Sequence, residues 1–512
     1  MNVPESLETS AQSSTLPTLV LGLGESGSAC ARWCARQGEL VRVADSRGEV
    51  AIDALREAAP DAEFLLGDAA LSTVDGEPVF ALSLLDGVRR VAISPGLSLI
   101  QGSAAPLVAA ARARGIEVCS EFDLFAQALR TQQAQGYTPL VLGVTGTNGK
   151  TTVTALTCHL LNQNGLSAVA AGNISPSILT AWMAALDRQD LPQAWVLELS
   201  SFQLETTHHL RLDAGVVLNL SQDHLDWHGD WAGYQQAKAR LLKLSRLTIV
   251  NRADPAVRSL VGALDDEPVR SFGADAPTLA GDLGLDLDHG VSWLCEALAD
   301  EDEPAPRRKK HEPVLRPAGR LNRLMPADAL RIRGAHNALN AQAALLLARV
   351  ADLGWGGLLR AVRDYEGEPH RLAFVRNVAG VDFIDDSKGT NVGATVAALD
   401  GLGQRVVLIA GGVGKGQDFS PLRRSVAAQA RAVVLIGQDA PRLQQALGTA
   451  VPVALAATLE DAVEQAFGLA QPGDAVLLSP ACASMDMFRD YKHRAEVFVS
   501  AVQELAFERG EV

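Results

Sequence analysis

A glycine-rich turn separates a predicted strand from a predicted helix in the second quarter of the chain. Residues 146–152 read Gly-Thr-Asn-Gly-Lys-Thr-Thr, after the apolar run 140–144 and before a helix-like spacing. Backbone N–H groups in such a turn, together with the helix N-terminus, bind phosphate. Lys150 would reach the β- and γ-phosphates of a nucleotide, and Thr151 would offer its hydroxyl to Mg²⁺. The first glycine of the usual pattern is displaced by one residue, so a plain strand-to-helix turn with an exposed lysine is the alternative.

Side chains that could assist phosphate chemistry follow this turn. Glu198 ends an apolar strand, where a Mg²⁺ ligand beside a phosphate loop would lie. His224 follows the next predicted strand, and Lys238 lies in a helix-like stretch. Asn337 and Asn340 share one face of a predicted helix, where they could hold an adenine edge or merely cap and solvate the helix. Each of these residues alone is more often structural than catalytic.

Polar or glycine-rich loops follow predicted strands in the last third of the chain, at residues 385–391, 411–416 and 479–486. Ligands of open α/β sheets bind at the carboxyl ends of the strands. Loops of this kind in one region therefore predict a site rather than ordinary turns. Arg371, which precedes them, could neutralise phosphate charge.

A second glycine pattern lies near the N-terminus. Gly22, Gly24 and Gly27 follow a predicted strand and open a helix, and the next strand ends at Asp45. This dinucleotide-type unit predicts a nucleotide or phosphate at the helix N-terminus, without specifying nicotinamide. Asp45 and the two residues after it could pair with a ribose or a base edge. Ser94 follows another strand and is expected at the same edge of the sheet.

Strand and helix patterns alternate over most of the 512 residues, which predicts an α/β protein with largely parallel sheets. This length corresponds to about three domains of ~150 residues. A polar linker at 131–139 and a Gly-Glu-Pro sequence near 367 suggest domains at 1–130, 131–367 and 368–512. Residues 296–330 combine acidic and basic runs with recurring prolines, so we expect a charged, solvated loop insertion there rather than a docking site.

Composition narrows the classes of function. A net charge of −15 argues against a nucleic-acid partner, although an acidic surface can hold local basic pockets. The six cysteines lack paired metal-ligand spacing and are expected to be reduced, buried thiols of a cytoplasmic protein. The polar N-terminus does not resemble a secretion signal, and no apolar run is long enough to span a membrane. We expect a monomer without membrane insertion.

Taken together, these motifs resemble the Mur ligase family of peptidoglycan synthesis, from about Leu19 to Arg494. The motifs that carry the resemblance are GTNGKTT at 146–152, GNI at 172–174, LELSSFQLE at 197–205, DH at 223–224, GAHNALN at 334–340, HR at 370–371, DSKGTN at 386–391 and SPACAS at 479–484. Within the family, they are most similar to the members that add D-glutamate.

The resemblance implies a three-domain α/β architecture. A Rossmann-like N-terminal domain would hold the UDP group of the substrate, a P-loop-type central domain would bind ATP, and a Rossmann-like C-terminal domain would receive the amino acid. The implied reaction is ATP-dependent amide formation with release of ADP and phosphate. ATP would phosphorylate the carboxylate of UDP-N-acetylmuramoyl-L-alanine, and the amine of D-glutamate would attack the acyl phosphate.

The resemblance also assigns residues to ligands. Contacts to ATP would come from Gly146, Thr147, Asn148, Gly149, Lys150, Thr151, Thr152, Asn337, Asn340, Arg371 and Asp386. Contacts to the UDP substrate would come from Gly24, Ser26, Asp45, Ser46, Arg47, Ser94 and Asn173. Contacts to D-glutamate would come from Lys388, Thr390, Lys415, Ser484, Met485 and Tyr491. Two Mg²⁺ ions would be held by Thr151, Glu198, His224 and Lys238 as a carbamate, and the catalytic set is Lys150, Glu198, His224 and Lys238.

Departures and alternatives accompany this interpretation. Many members of the family carry an acid at the position of Val413, so that acid's role does not transfer to this chain. Glu25 is expected to point away from the diphosphate because of its charge. A Mur ligase with another amino acid is the nearest alternative. An NAD(P)-dependent oxidoreductase would leave the phosphate loop without a role, and a non-catalytic nucleotide switch would bind ATP without ligation.

Overall fold

The computed structural model describes residues 16–265, 268–299, 315–332 and 334–511. The N-terminal elements are, in chain order, β1 (Thr18–Leu21), α1 (Glu25–Arg36), β2 (Val41–Asp45), α2 (Asp53–Ala58), β3 (Glu63–Leu66), β4 (Leu71–Val74), β5 (Glu77–Phe80), β6 (Arg90–Ile93), α3 (Ala105–Ala113), β7 (Glu117–Cys119) and α4 (Glu121–Gln133). Strands β3-β2-β1-β6-β7 form a parallel sheet in that order, and β4 and β5 form a separate hairpin. The strand order reverses beside β1, where such folds bind nucleotides.

The central elements surround a second parallel sheet. They are β8 (Leu140–Thr145), α5 (Lys150–Gln163), β9 (Ala168–Gly172), α6 (Ile178–Arg188), β10 (Ala194–Glu198), α7 (Ser201–Thr206), β11 (Leu212–Val217), α8 (Leu225–His228), α9 (Trp231–Leu244), β12 (Ser245–Asn251), α10 (Pro255–Arg258) and β13 (Val269–Phe272). The strand order is β13-β12-β11-β8-β10-β9, and every pairing is parallel. The apolar β8 is buried on both faces, as expected for a central parallel strand.

A small antiparallel sheet completes the central region and corrects one prediction. It contains β14 (Leu283–Asp288), β15 (Val291–Ala299) and β16 (Gly319–Pro326), and the helices α11 (Ala335–Arg349) and α12 (Trp355–Asp364) follow. The prediction of a loop over 296–330 is therefore wrong at both ends. Residues 319–326 pair with residues 293–299, and Cys295 and Ala297 bury their side chains. The charged runs near 301–310 lie outside the described residues.

The C-terminal elements form a third α/β layer structure. They are β17 (Ala373–Val378), β18 (Val381–Asp385), α13 (Val392–Gly401), β19 (Val406–Gly411), α14 (Leu422–Gln429), β20 (Ala430–Ile436), α15 (Ala440–Leu447), β21 (Val453–Leu455), α16 (Leu459–Leu469), β22 (Ala475–Leu478) and α17 (Tyr491–Glu508). The order is β17-β18-β22-β19-β20-β21. The hairpin between β17 and β18 is antiparallel, and the other neighbours are parallel.

Helix α4 packs the N-terminal and central sheets onto one apolar core. Phe125 on α4 meets the rings of Trp182 on α6 and Trp195 on β10 at centroid distances of 5.3 Å and 5.6 Å. The same cluster of buried residues includes Cys30 and Cys34 on α1. Among the described residues, the clusters under the C-terminal sheet draw only on positions from 372 onward. The first two sheets are therefore joined by side-chain packing that the third does not share.

Candidate active site

The phosphate loop connects β8 to α5. Gly149 precedes the helix with φ +82°, and a Cβ there would lie 2.6 Å from Asn340 Oδ1, so glycine is required. Lys150 Nζ donates to the carbonyls of Gly146 and Thr147 at 2.9 Å and 2.8 Å. Burial lowers the pKa of Lys150, although the charges of Glu198 and Asp223 oppose the shift. The loop has the geometry expected of a phosphate cradle, with its lysine held over it.

Glu198 connects the phosphate loop to the loop after β9. Its carboxylate is 2% exposed, and Thr151 Oγ1 donates to Oε2 at 2.8 Å. Asn173 Nδ2 donates to the other oxygen, Oε1, at 2.8 Å. Because β8 and β10 are neighbouring parallel strands, their carboxyl ends bring Thr151 and Glu198 together. Residues separated by long stretches of chain thus form one hydrogen-bonded group.

Lys238 and His224 also lie near the phosphate loop. Lys238 extends from α9 and is buried, with Nζ donating to the Gly146 carbonyl at 2.8 Å. Burial and the neighbouring charge of Lys150 lower the pKa of Lys238 well below its ordinary value. His224 adopts φ +52°, and burial lowers its pKa, an effect that the charge of Lys415 reinforces. In both side chains, burial shifts the protonation equilibrium towards the neutral form.

A cavity of about 340 Å³ separates the phosphate loop from the C-terminal sheet. The predicted ATP contacts that line it are Asn148, Gly149, Thr152, Asn337, Asn340, Arg371 and Asp386. Asn340 Nδ2 donates to Asn337 Oδ1 at 3.0 Å, so the two amides face each other. Asp386 accepts from Ser479 Oγ at 2.7 Å, and burial raises its pKa to about 7. The other predicted contacts are not on the cavity wall, because Gly146 and Thr147 lie within the loop and Lys150 and Thr151 lie in the first turn of α5.

A second cavity, of about 440 Å³, lies between the N-terminal sheet and the central region. Its walls include every predicted contact to the UDP substrate, namely Gly24, Ser26, Asp45, Ser46, Arg47, Ser94 and Asn173. Asp45 accepts from the N–H of Leu23 at 2.6 Å, and Arg47 pairs with both of its carboxylate oxygens at 2.8 Å. Burial opposes ionisation of Asp45, but these hydrogen bonds outweigh it and lower its pKa.

Glu25 does not point away from this cavity, contrary to our expectation. It lines the wall, and its carboxylate accepts from Ser175 Oγ at 2.8 Å and from the Ser177 N–H at 2.9 Å. Both donors belong to the central region. The negative charge is therefore offset by hydrogen bonds across the boundary between the two sheets.

The predicted D-glutamate contacts lie on loops at the carboxyl ends of the C-terminal strands, except for Tyr491, which is the first residue of α17. Lys388 Nζ lies 3.8 Å from the centroid of the Tyr491 ring, and burial together with the charge of Arg371 lowers the pKa of Lys388 to about 8. Thr390 follows in the same loop, and Lys415 is held at φ +50° after β19. Ser484 is buried, whereas Met485 exposes 70% of its surface.

Sequence models and relatives identify the family. The "Mur ligase MurD-like, N-terminal domain" matches residues 17–120, the "Mur ligase middle domain" matches 144–348, and the "Mur ligase, glutamate ligase domain" matches 370–482. The UDP-N-acetylmuramoylalanine–D-glutamate ligase of Bordetella avium is 60% identical, and the alignment covers 96% of this chain and 97% of that protein. The chain belongs to the Mur ligase family. The enzyme of the same name from Burkholderia thailandensis is 54% identical, with the same coverage of both chains.

Solved structures of Mur ligases share the fold. The UDP-N-acetylmuramate-alanine ligase of Thermotoga maritima is 17% identical with a TM-score of 0.53, and the alignment covers 96% of this chain and 99% of that one. The MurF ligase of Thermotoga maritima in complex with ADP is 17% identical with a TM-score of 0.54, and the alignment covers 83% and 91%. The predicted α/β class and the predicted family are both confirmed.

Two residues of this Mur ligase site, Asn219 and Arg494, are not predicted from the sequence. Asn219 at the end of β11 holds the main chain of Asn148 through two hydrogen bonds of 2.8 Å and 3.0 Å. Arg494 is fully buried, and its guanidinium donates to the Ser387 carbonyl at 2.7 Å and to the Cys482 carbonyl at 3.2 Å. It therefore ties together the loops after β18 and β22. The sequence signal that could have identified Arg494 is an arginine among apolar residues on the buried face of a predicted helix.

The donor atoms near the phosphate loop suit magnesium. Mg²⁺ takes oxygen ligands and keeps several waters, so one hydroxyl, one carboxylate and substrate phosphates suffice. Thr151 and Glu198 supply that pair. Among the described residues, no group of three or more His, Cys, Asp or Glu side chains has the arrangement of a metal site. Within the same residues, no helix of this Mur ligase is both long and apolar enough to cross a bilayer.

Proposed function

We propose that this chain is the ATP-dependent ligase that adds D-glutamate to UDP-N-acetylmuramoyl-L-alanine in peptidoglycan precursor synthesis. The relatives that carry this activity in their name align with nearly the whole chain. The position of Asn173 is the observation that carries the proposal. It lines the N-terminal cavity and donates to Glu198, which in turn accepts from Thr151 in the phosphate loop. A UDP substrate bound in that cavity would place its carboxylate, at the end opposite the uracil, beside the γ-phosphate of ATP.

ATP would lie between the phosphate loop and the C-terminal sheet. Residues 146–152 would bind the phosphates, with the N-terminus of α5 directed at them. Asn337 and Asn340 would hold adenine, and Arg371 and Asp386 would hold ribose and phosphate from the other wall. Phosphoryl transfer needs in-line positioning and charge neutralisation more than covalent chemistry from the protein. Lys150 would supply positive charge at the transferring group.

Magnesium would be held by Thr151 and Glu198 at one position, and by His224 and Lys238 at a second. When bound, it would neutralise charge on the phosphoryl oxygens. A free ammonium cannot ligate a cation. Burial lowers the pKa of Lys238, which increases the fraction of neutral amine, and a neutral amine can add CO₂, release a proton and become a carbamate anion.

D-Glutamate would lie among the C-terminal loops, within reach of the acyl phosphate. The contacts would be Lys388, Thr390, Lys415, Ser484, Met485 and Tyr491. The cations would pair with the carboxylates of the amino acid, leaving its amine to attack the acyl carbon. The tetrahedral intermediate would then collapse with loss of phosphate. In this arrangement residues 1–130 bind the UDP substrate, 131–367 bind ATP and 368–512 bind the amino acid.

Phosphate release from ATP tests the activity directly. The purified protein is incubated with ATP, Mg²⁺ and UDP-N-acetylmuramoyl-L-alanine, and D-glutamate, L-glutamate, L-alanine or a diamino acid is added in turn. We expect release that requires D-glutamate. Release with another amino acid would keep the family and reject the proposed specificity. Nucleotide binding without release would favour a switch protein, and an absorbance change of added NAD(P)H would favour an oxidoreductase.

We further propose that the enzyme is a cytoplasmic monomer. Its substrates by this proposal are intracellular metabolites. Light scattering at micromolar protein concentration would give the mass of one chain, about 54.0 kDa, and a value near twice that mass would reject the monomer.

A further inference from the structure

Two asparagines join the phosphate loop to the C-terminal sheet. Asn391 Nδ2 donates to Asn148 Oδ1 at 2.9 Å, and Asn148 Nδ2 donates back to Asn391 Oδ1 at 3.2 Å. Both distances are normal for hydrogen bonds between amides. The two residues belong to regions that share no apolar core among the described residues.

Each amide is fixed within its own region. The side chain of Asn219 brackets the main chain of Asn148, accepting from its N–H and donating to its carbonyl. Asn391 caps α13, because its Oδ1 also accepts from the N–H of Ala394 at 2.9 Å. The cap determines which end of the Asn391 amide is oxygen, and the other end is then directed at Asn148.

Gly393 allows this close approach. A Cβ at that position would lie 3.1 Å from Ser221 Oγ and 3.2 Å from Asn148 Nδ2. Those distances are tighter than ordinary carbon contacts, so a larger residue would require these neighbours to shift by a few tenths of an ångström. The amide pair and Gly393 are thus two independent features that bring the N-terminus of α13 close to the start of α5.

We propose that Asn391 is a positioning residue, which together with Asn148 docks the loop of Lys388 and Thr390 onto the phosphate loop. The inference rests on the proposed function, because Lys388 and Thr390 are taken as contacts of the amino acid. The amide pair would set the distance between the attacking amine and the acyl phosphate. A misplacement of about 1 Å between reacting groups can lower the rate roughly 100-fold.

Electrostatics couples this contact to the nucleotide. The N-termini of α5 and α13 carry partial positive charge, and Lys150 and Arg371 lie beside them. These charges repel one another in the absence of an anion. The triphosphate would relieve that repulsion, so bound ATP would stabilise the pair.

The test separates pairing from helix capping. Asn391→Ser retains an oxygen that can cap α13 but is too short to reach Asn148, and Asn391→Ala removes both functions. We expect Asn391→Ser to lower kcat roughly 10- to 100-fold with an unchanged KM for the UDP substrate. In a double-mutant cycle, the losses from Asn148→Ala and Asn391→Ser should be less than additive, because both substitutions break the same amide pair. Gly393→Ala should lower kcat without loss of thermal stability, because alanine favours helix.

Small-angle X-ray scattering gives a readout that does not depend on turnover. With a non-hydrolysable ATP analogue, the wild-type protein should contract, and Asn391→Ser and Gly393→Ala should contract less. Wild-type kcat and contraction in either variant, or additive effects in the cycle, would overturn the proposal. If the wild-type protein contracts but releases no phosphate with D-glutamate, the proposed function fails while the amide pair is still tested by scattering.

Discussion

Lys238 donates a hydrogen bond of 2.8 Å to the carbonyl of Gly146, so a fully buried amine lies directly against the phosphate loop. Burying an ammonium group in such a place is costly unless the group is neutral or modified. The neighbouring charge of Lys150 makes a positive charge on Lys238 still less favourable. The arrangement is understandable if the group becomes an anion during function.

Lys238→Ala should lower kcat by about 100-fold or more, since charge placed at a transferring group is worth that much. A short carboxylic acid such as acetate should restore part of the activity by replacing the missing anion. The measurement is phosphate release with and without the acid. Lys243→Ala, an exposed position on the same helix, is the control. Full activity of Lys238→Ala would reject the carbamate.

Asp45→Asn should weaken binding of the UDP substrate. The amide keeps the shape of the carboxylate but cannot accept from Arg47 at both oxygens and from Leu23 at the same time. We expect the KM for the UDP substrate to rise about 10-fold with little change in kcat, the pattern of lost uniform binding. Initial rates with each substrate varied in turn give the answer. An equal rise in the KM for ATP would contradict this prediction. Asp53→Asn on α2 is the control and should leave both KM values unchanged.

Stability should depend on pH through Asp386. Burial raises its pKa from 3.8 to about 7, so between those values the folded protein binds a proton that the unfolded chain has released. The contribution is present below about pH 4 and is lost as pH rises toward 7. Asp386→Asn removes this titration. Relative to wild type, the variant should gain on the order of 2 kcal/mol in free energy of unfolding from pH 5 to pH 8.

Urea denaturation of the nucleotide-free protein at several pH values measures this difference. The change with pH is the readout, because the Asp386→Asn substitution also alters hydrogen bonds and so shifts the absolute stability. Asp400→Asn, at an exposed position of the same domain, should show no comparable trend. Parallel pH curves for wild type and Asp386→Asn would contradict the assignment.

Phe125→Ala should destabilise the N-terminal and central sheets together. Removing a fully buried phenylalanine costs about 3–5 kcal/mol, and this ring contacts Trp182 and Trp195. All seven tryptophans precede residue 368, so fluorescence reports on these two regions alone. We expect one fluorescence transition, shifted to lower temperature. Two separate fluorescence transitions would contradict a shared core, and Leu287→Ala, at a 74% exposed position of the central region, should have little effect.

Much of the site follows from sequence because it is local. The phosphate loop, the Gly22 turn and Glu198 each sit at a strand end, and apolar runs with glycine punctuation mark such ends directly. The strands β15 and β16 escape prediction because the segment between them dominates the composition there. Their pairing is seen only in the structure, because it joins segments that are not adjacent in the chain.

Contacts between the sheets are not predictable in the same way. The sequence shows only that Glu25 is negatively charged. It does not show that Ser175 and Ser177, which follow a strand of another sheet, donate hydrogen bonds to it. The partner of Asn391 lies far away in the chain, so spacing contains no sign of it. Local patterns determine which side chains reach the edge of each sheet. The relative placement of the sheets determines which of those side chains meet.

The shared core around Phe125 has a consequence for how selectivity is divided. The cavity lined by the loop after β1 and the phosphate loop belong to regions that share this core, so by the proposed function the carboxylate to be activated would keep a fixed position relative to the phosphate donor. By the same proposal, choice of the incoming amino acid would fall to the C-terminal region, which among the described residues contributes no side chain to that core. Mutations that alter amino-acid preference would then accumulate there without disturbing activation, and the two specificities would evolve separately.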